Sequence, residues 1–164
     1  MKKEKVKSLE SVTKKVVGLD VKKADVKKEY ERTKGIKEAR ENLRVIWKDG
    51  VDKDDYEAAA DYLDLLIGDK SLVKGIIKRL KRAKIRTKKA KDILRSSKLP
   101  RVMPDNVHVQ HNINKYRMDI KLSPVLLVRG LDMVLIIADG YHRVCASYEL
   151  SEELNVPCKL VSIK

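Results

Sequence analysis

Two apolar runs near the C-terminal end, Pro124-Val125-Leu126-Leu127-Val128 and Met133-Val134-Leu135-Ile136-Ile137-Ala138, constrain the fold of this chain more than any other feature. Both are short, rich in β-branched residues and separated only by a turn around Gly130-Leu131-Asp132. They read as a buried hairpin with strands at residues 125–129 and 134–138. A helix over 141–150 and a last strand over 156–163 complete the pattern, and a loop with a short helix at 107–116 precedes it.

Upstream the chemistry is different. Residues 1–16 are Lys-rich with weak periodicity, a frayed helix or an arm, and residues 21–47 carry sparse apolar positions consistent with one helix or two interrupted near Gly35. Asp52 to Asp55 then open an amphipathic helix with Tyr56, Ala59, Ala60, Leu63, Leu66 and Ile67 on one face, which Gly68 stops. Ser71 reads as the cap of a following helix with Leu72, Ile76, Ile77 and Leu80 inward, and Thr87 as the cap of another over 88–97. Charge density drops after Pro100, which places a boundary near residues 98–104. The expected organisation is therefore α+β, with a basic helical region over 1–98 and a small α/β domain over 99–164.

The net charge of +14 is unevenly distributed. Residues 51–70 carry a net −5 and residues 101–164 only +1, whereas residues 71–100 hold twelve basic side chains against Asp92 alone. A neutral solvated helix intersperses Glu with Lys, so this imbalance points to a polyanion. Lys74, Lys78, Arg79, Lys81, Arg82, Lys84, Arg86, Lys88 and Lys89 are the candidate nucleic-acid contacts, reading backbone phosphates rather than bases. No aromatic residues interleave with them, which argues against a single-strand stacking platform on this stretch.

Cys145 and Cys158, the two cysteines, form no metal-binding or C-x-x-C pattern. No apolar run approaches the roughly 18 residues of a membrane span, and the start, Met1-Lys2-Lys3-Glu4-Lys5, lacks the apolar stretch of a secretory signal. A cytoplasmic protein that avoids membranes is expected. A phage or mobile-element origin suits the size and Lys-rich composition.

The corner Asp139-Gly140-Tyr141-His142-Arg143 carries the most chemistry. A strand ends there and a helix begins, so free N–H groups, the positive end of the helix dipole and a guanidinium converge where an anion can sit. Gly140, His142 and Arg143 are the candidate phosphate ligands. Asp139 is a candidate general base or metal ligand, although Asp before Gly at a strand end more often serves a turn or a cap. His108 and His111, even with His142, lack a carboxylate or Cys at ligand spacing, so no metal centre is expected. Asn106 and His108 are placed to close over the base or ribose of a nucleotide.

The segment Leu135-Ile136-Ile137-Ala138-Asp139-Gly140-Tyr141-His142-Arg143-Val144-Cys145-Ala146 resembles the ParB/sulfiredoxin superfamily. ParB-like proteins carry a strand leading into Gly-Glu-Arg-Arg-x-x-Ala there, and sulfiredoxins carry Gly-Gly-Cys-His-Arg. The likeness covers about 40 to 60 residues at the C-terminal end. It implies a turn that binds nucleotide phosphates through Gly140, His142 and Arg143, with ATP or CTP and Mg²⁺ as the expected cofactors and Asp139 and His142 as the catalytic candidates. Pro104-Asp105-Asn106-Val107-His108 is a degenerate likeness of the Asn-Pro-x-Gln-Pro-Arg box of ParB. Tyr141 stands where sulfiredoxins have their nucleophilic Cys and ParB its acidic residue, so neither chemistry carries over through that position. The leading expectation is a nucleotide- or nucleic-acid-phosphate-binding protein; a nucleotide-dependent enzyme (NTPase, phosphotransferase or nuclease) and a scaffold without chemistry are the alternatives.

Overall fold

The computed structural model describes residues 45–164. The Lys-rich start and nearly all of the segment expected to be helical over 21–47 lie outside the described residues. The last three residues of that segment, Val45 to Trp47, are extended rather than helical: Ile46 O accepts from Leu122 N–H and Trp47 pairs with Leu122 as an isolated parallel bridge.

Among the described residues the chain runs α1 (Lys53–Ile67), α2 (Lys70–Arg82), β1 (Arg86–Lys89), α3 (Ala90–Ser97), α4 (Val107–Arg117), β2 (Val125–Arg129), β3 (Leu135–Asp139), α5 (Tyr141–Leu150) and β4 (Asn155–Ser162). The four strands form one mixed sheet in the order β1-β4-β2-β3. β2 and β3 pair antiparallel, as the apolar hairpin requires, with Val128 opposite Ile136. β4 returns parallel to β2, with Val125 opposite Cys158, after the α5 crossover.

β2 explains why its run is continuous rather than alternating. Val125 and Leu127 enter a core with Ile93, Val109, Ile113, Tyr116, Val144 and Leu150 from α3, α4 and α5. Leu126 and Val128 enter a second core on the other side, with Tyr56, Leu63, Val73, Ile76 and Leu80 from α1 and α2. The sheet is thus the middle of three layers, and a strand covered on both faces has no place for a polar residue.

α1 and α2, which precede residue 98, pack on a sheet formed mostly by residues that follow it. Residues 45–164 form one compact unit, and α1 and α2, the acidic and basic helices, cover one face of the sheet. The residues read as the start of a helix capped by Thr87 instead make β1, which pairs antiparallel with β4, Thr87 opposite Pro157; α3 begins only at Ala90. All four β1 residues are exposed, so no periodic apolar signal marks the strand. Asp69 rather than Ser71 caps α2, its side chain accepting from Leu72 N–H at 3.0 Å. On this helix Val73 faces the core and Leu72 is exposed.

Burying a Leu or Val side chain is worth about 1.5–3 kcal/mol, so exposing Leu126 and Val128 together costs a large part of an ordinary stability of about 5–15 kcal/mol. A fragment of residues 99–164 is expected to show no cooperative thermal transition by circular dichroism, whereas residues 43–164 unfold cooperatively. A cooperative 99–164 fragment would support the boundary near residue 98.

Candidate functional site

β3 delivers Asp139 to the mouth of a cleft of about 630 Å³, walled by the first half of α1, by α4, by residues 121–123 and by the start of α5. The chain turns there through Gly140, whose φ of +94° and ψ of 17° a side chain rarely adopts. A Cβ on Gly140 would also stand 2.5 Å from Val125 Cγ1. Glycine is therefore required first by the packing of α5 on β2. No side chain caps α5, and the first intrahelical bond runs from Val144 N–H to Gly140 O at 3.0 Å. The N–H groups of Tyr141, His142 and Arg143 have no helical acceptor.

Arg143 is not the free anion fork that its position suggests. Its Nη1 donates to Asp55 Oδ2 at 2.9 Å and its Nη2 donates to Asp139 Oδ2, with the Arg143 side chain only 12% exposed. The i,i+4 spacing brings Asp139 and Arg143 together locally, while Asp55 arrives from the first turn of α1. A phosphate reaches this guanidinium only by displacing Asp55 or by joining it. Burial pushes the Asp139 carboxyl up; Arg143 pulls it down, the Asp55 carboxylate adds to the rise, and burial wins.

His142 is half-buried beside His108, with ring centroids 4.9 Å apart. Burial, and then the neighbouring His108, hold its imidazole below the usual value, so it is neutral at pH 7 and can donate one hydrogen bond. His111, Lys115 and Lys121 also line the cleft, as does Tyr62. Lys48 lies there too, paired with Asp52 at 2.6 Å. Tyr141 donates its hydroxyl to Pro100 O and pins the loop after α3 against α5.

The residues singled out from sequence divide accordingly. Asp139, Gly140, His142, Arg143 and His108 converge on the cleft. Asn106 does not: it caps α4, its Oδ1 accepting from His108 N–H at 2.9 Å and Val109 N–H at 3.3 Å. The basic residues gather elsewhere, on α2 and β1 at the sheet edge opposite β3. Three strand spacings, about 14 Å, separate that edge from the strand that carries Asp139. Lys74, Lys78, Lys81, Arg82, Lys84, Arg86 and Lys88 are exposed there, whereas Arg79 donates to Ile163 O and Lys89 pairs with Glu153. Asp55, Lys115, Lys121 and Tyr62 went unnoticed as site residues. Only the acidic first turn of α1 hinted at Asp55, and it read as a dipole effect.

Among the described residues no group of three or more His, Cys, Asp or Glu is arranged to hold a metal. The carboxylates of Asp55 and Asp139 are already bridged by Arg143, so they do not fit a resident Mg²⁺.

Two outcomes follow from this geometry. Gly140→Ala forces both a strained φ and a clash with Val125, and is expected to cost about 2–4 kcal/mol in urea denaturation. For Asp139, whose folded pKa is raised, the associated stability is present below the unfolded value and lost as pH rises through the folded value. The melting-temperature difference between wild type and Asp139→Asn is therefore expected to move in favour of the variant between about pH 3.5 and pH 7.

No family model, curated protein or solved structure matches this chain.

Proposed function

We propose that this chain binds a phosphate-bearing ligand, a nucleotide or the backbone of a nucleic acid, in the cleft at the start of α5, in the manner of ParB/sulfiredoxin-like proteins. The observation that carries the reading is the first turn of α5, whose three N–H groups lack helical acceptors and adjoin a cleft lined by His142, His108, Lys115 and Lys121. His142 supplies a neutral donor, and the lysines supply charge from the far wall. Arg143 acts as the organiser of the corner, held by Asp55 and Asp139 and open to an anion that replaces Asp55.

The exposed cations of α2 and β1 fit a second, sequence-independent contact with DNA or RNA phosphates. The carboxylate that meets them is Glu153, which reaches Lys89 from the α5–β4 connection. An edge strand of four exposed residues, three of them basic, also prevents edge-to-edge pairing, and the two roles are compatible.

A second reading, a nucleotide-dependent enzyme, is favoured by one observation: a carboxyl with a raised pKa and an imidazole with a lowered one stand three residues apart at the same corner. Paired shifts of this kind suit proton transfer.

A thermal-shift series with ATP, CTP, GTP and inorganic phosphate, each with and without Mg²⁺, tests the binding. Ligand at 100 times its Kd stabilises by about 2.7 kcal/mol, a rise of roughly 10 °C for a domain of this size. His142→Ala is expected to abolish the shift while retaining a cooperative melt. No shift with any of them would sink the nucleotide reading, and no release of inorganic phosphate or cleavage of nucleic acid would retire the enzyme. For the basic edge, duplex affinity is expected to fall with salt, and Lys78→Glu/Arg82→Glu to flatten that slope.

A further inference from the structure

We propose that Asp55 is an internal competitor for the anion seat on Arg143: it holds the guanidinium while the cleft is empty and withdraws to the start of its own helix when a phosphate takes its place. The proposal rests on the phosphate-binding reading of the cleft and adds to it the regulation of that site.

Arg143 holds two carboxylates that reach it by different routes. Asp139 is tied to it locally, at i,i+4 across the β3–α5 corner, whereas Asp55 comes from the third residue of α1. Side-chain exposures of 12% for Arg143 and 18% for Asp55 leave the pair on the cleft wall, largely shielded from water but within reach of a ligand. An anion that joined both carboxylates would be the third negative group on one guanidinium, at a site that salt and water screen poorly. Exchange avoids that repulsion. It also keeps Arg143 paired throughout, so the cost of stranding a buried charge does not arise.

Exchange requires a place for the displaced carboxylate, and the start of α1 provides it. Asp52 stands at the cap position of α1, yet its side chain makes no cap hydrogen bond and pairs instead with Lys48 at 2.6 Å. The first-turn N–H groups of α1 therefore receive no acceptor from the cap, and the positive end of the helix dipole favours a carboxylate beside them. Asp55 has two seats, Arg143 and its own helix start, and a ligand on Arg143 decides between them. Because this competitor is tethered, it acts at high effective concentration and lowers the apparent affinity of the seat for any anion. Because binding releases it, the Asp55–Arg143 pair stabilises the empty protein alone, and its contribution vanishes at saturation.

The test uses the full chain and compares wild type with Asp55→Asn, Asp55→Glu and Asp54→Asn. Affinities for inorganic phosphate and for ATP are measured by isothermal titration, and melting temperatures with and without saturating ligand. Asp54 is exposed in the same turn, so Asp54→Asn makes the same change of charge without removing a partner of Arg143. Asp55→Asn is expected to bind about tenfold tighter than wild type or more, whereas Asp54→Asn stays within about twofold because an exposed charge is screened. Asp55→Glu retains a carboxylate for Arg143 and is expected to bind as weakly as wild type. Without ligand, Asp55→Asn is expected to melt below wild type; at saturation the two are expected to melt together. If Asp55→Asn has no cooperative melt alone, it is expected to gain one in saturating phosphate.

Affinity unchanged or weakened in Asp55→Asn, or raised equally in Asp54→Asn, overturns the competitor while the cleft reading stands. A melting difference that persists at saturation also overturns it, because the anion then joins Asp55 instead of replacing it. Absence of binding by wild type and by every variant removes the cleft reading as well.

Discussion

Four consecutive buried side chains, Val125 to Val128, tie the two sides of this protein together. Because successive residues of a strand point to opposite faces, β2 must be roofed twice, by α1 and α2 on one side and by α3, α4 and α5 on the other. That requirement draws the strongly charged helices of the first half into the same unit as the apolar hairpin. It also sets the cleft, which opens at the β3 edge where α1 and α5, from opposite faces of the sheet, converge.

At that edge Arg143 joins the layers electrostatically. Its guanidinium bridges Asp139 at the end of β3 and Asp55 at the start of α1. Removing one member of such a buried network strands the others, at about 3–5 kcal/mol. The network favours a fixed corner, while the N–H groups of the first α5 turn stay free of helical acceptors. Fixing the carboxylates and guanidinium leaves the backbone and the histidines as the groups immediately ready for a ligand, with Arg143 available through exchange of partners.

Much of the local structure was legible. The hairpin, α5 from Tyr141 to Leu150, the helix at 107–117 and the amphipathic helix ended by Gly68 all carry strong periodic or punctuating signals. β1 did not, because an exposed edge strand of Arg, Thr and Lys has the composition of a solvated helix. The composition changes near residue 98 because helices that cover one face of a sheet are half polar, whereas a central strand is not. Within the site, Asp139, Gly140, His142 and Arg143 were visible through their adjacency; Asp55 lies 88 residues before its partner Arg143, beyond any local pattern.

The sequence by itself determined the corner: a strand, a glycine and an uncapped helix start, each fixed by residues next to one another in the chain. Tertiary structure decided what the corner faces, because contacts between distant residues depend on how the layers close over β2. It gave Arg143 two carboxylates, turned Asn106 to cap its own helix, and placed the basic residues at the far edge of the sheet.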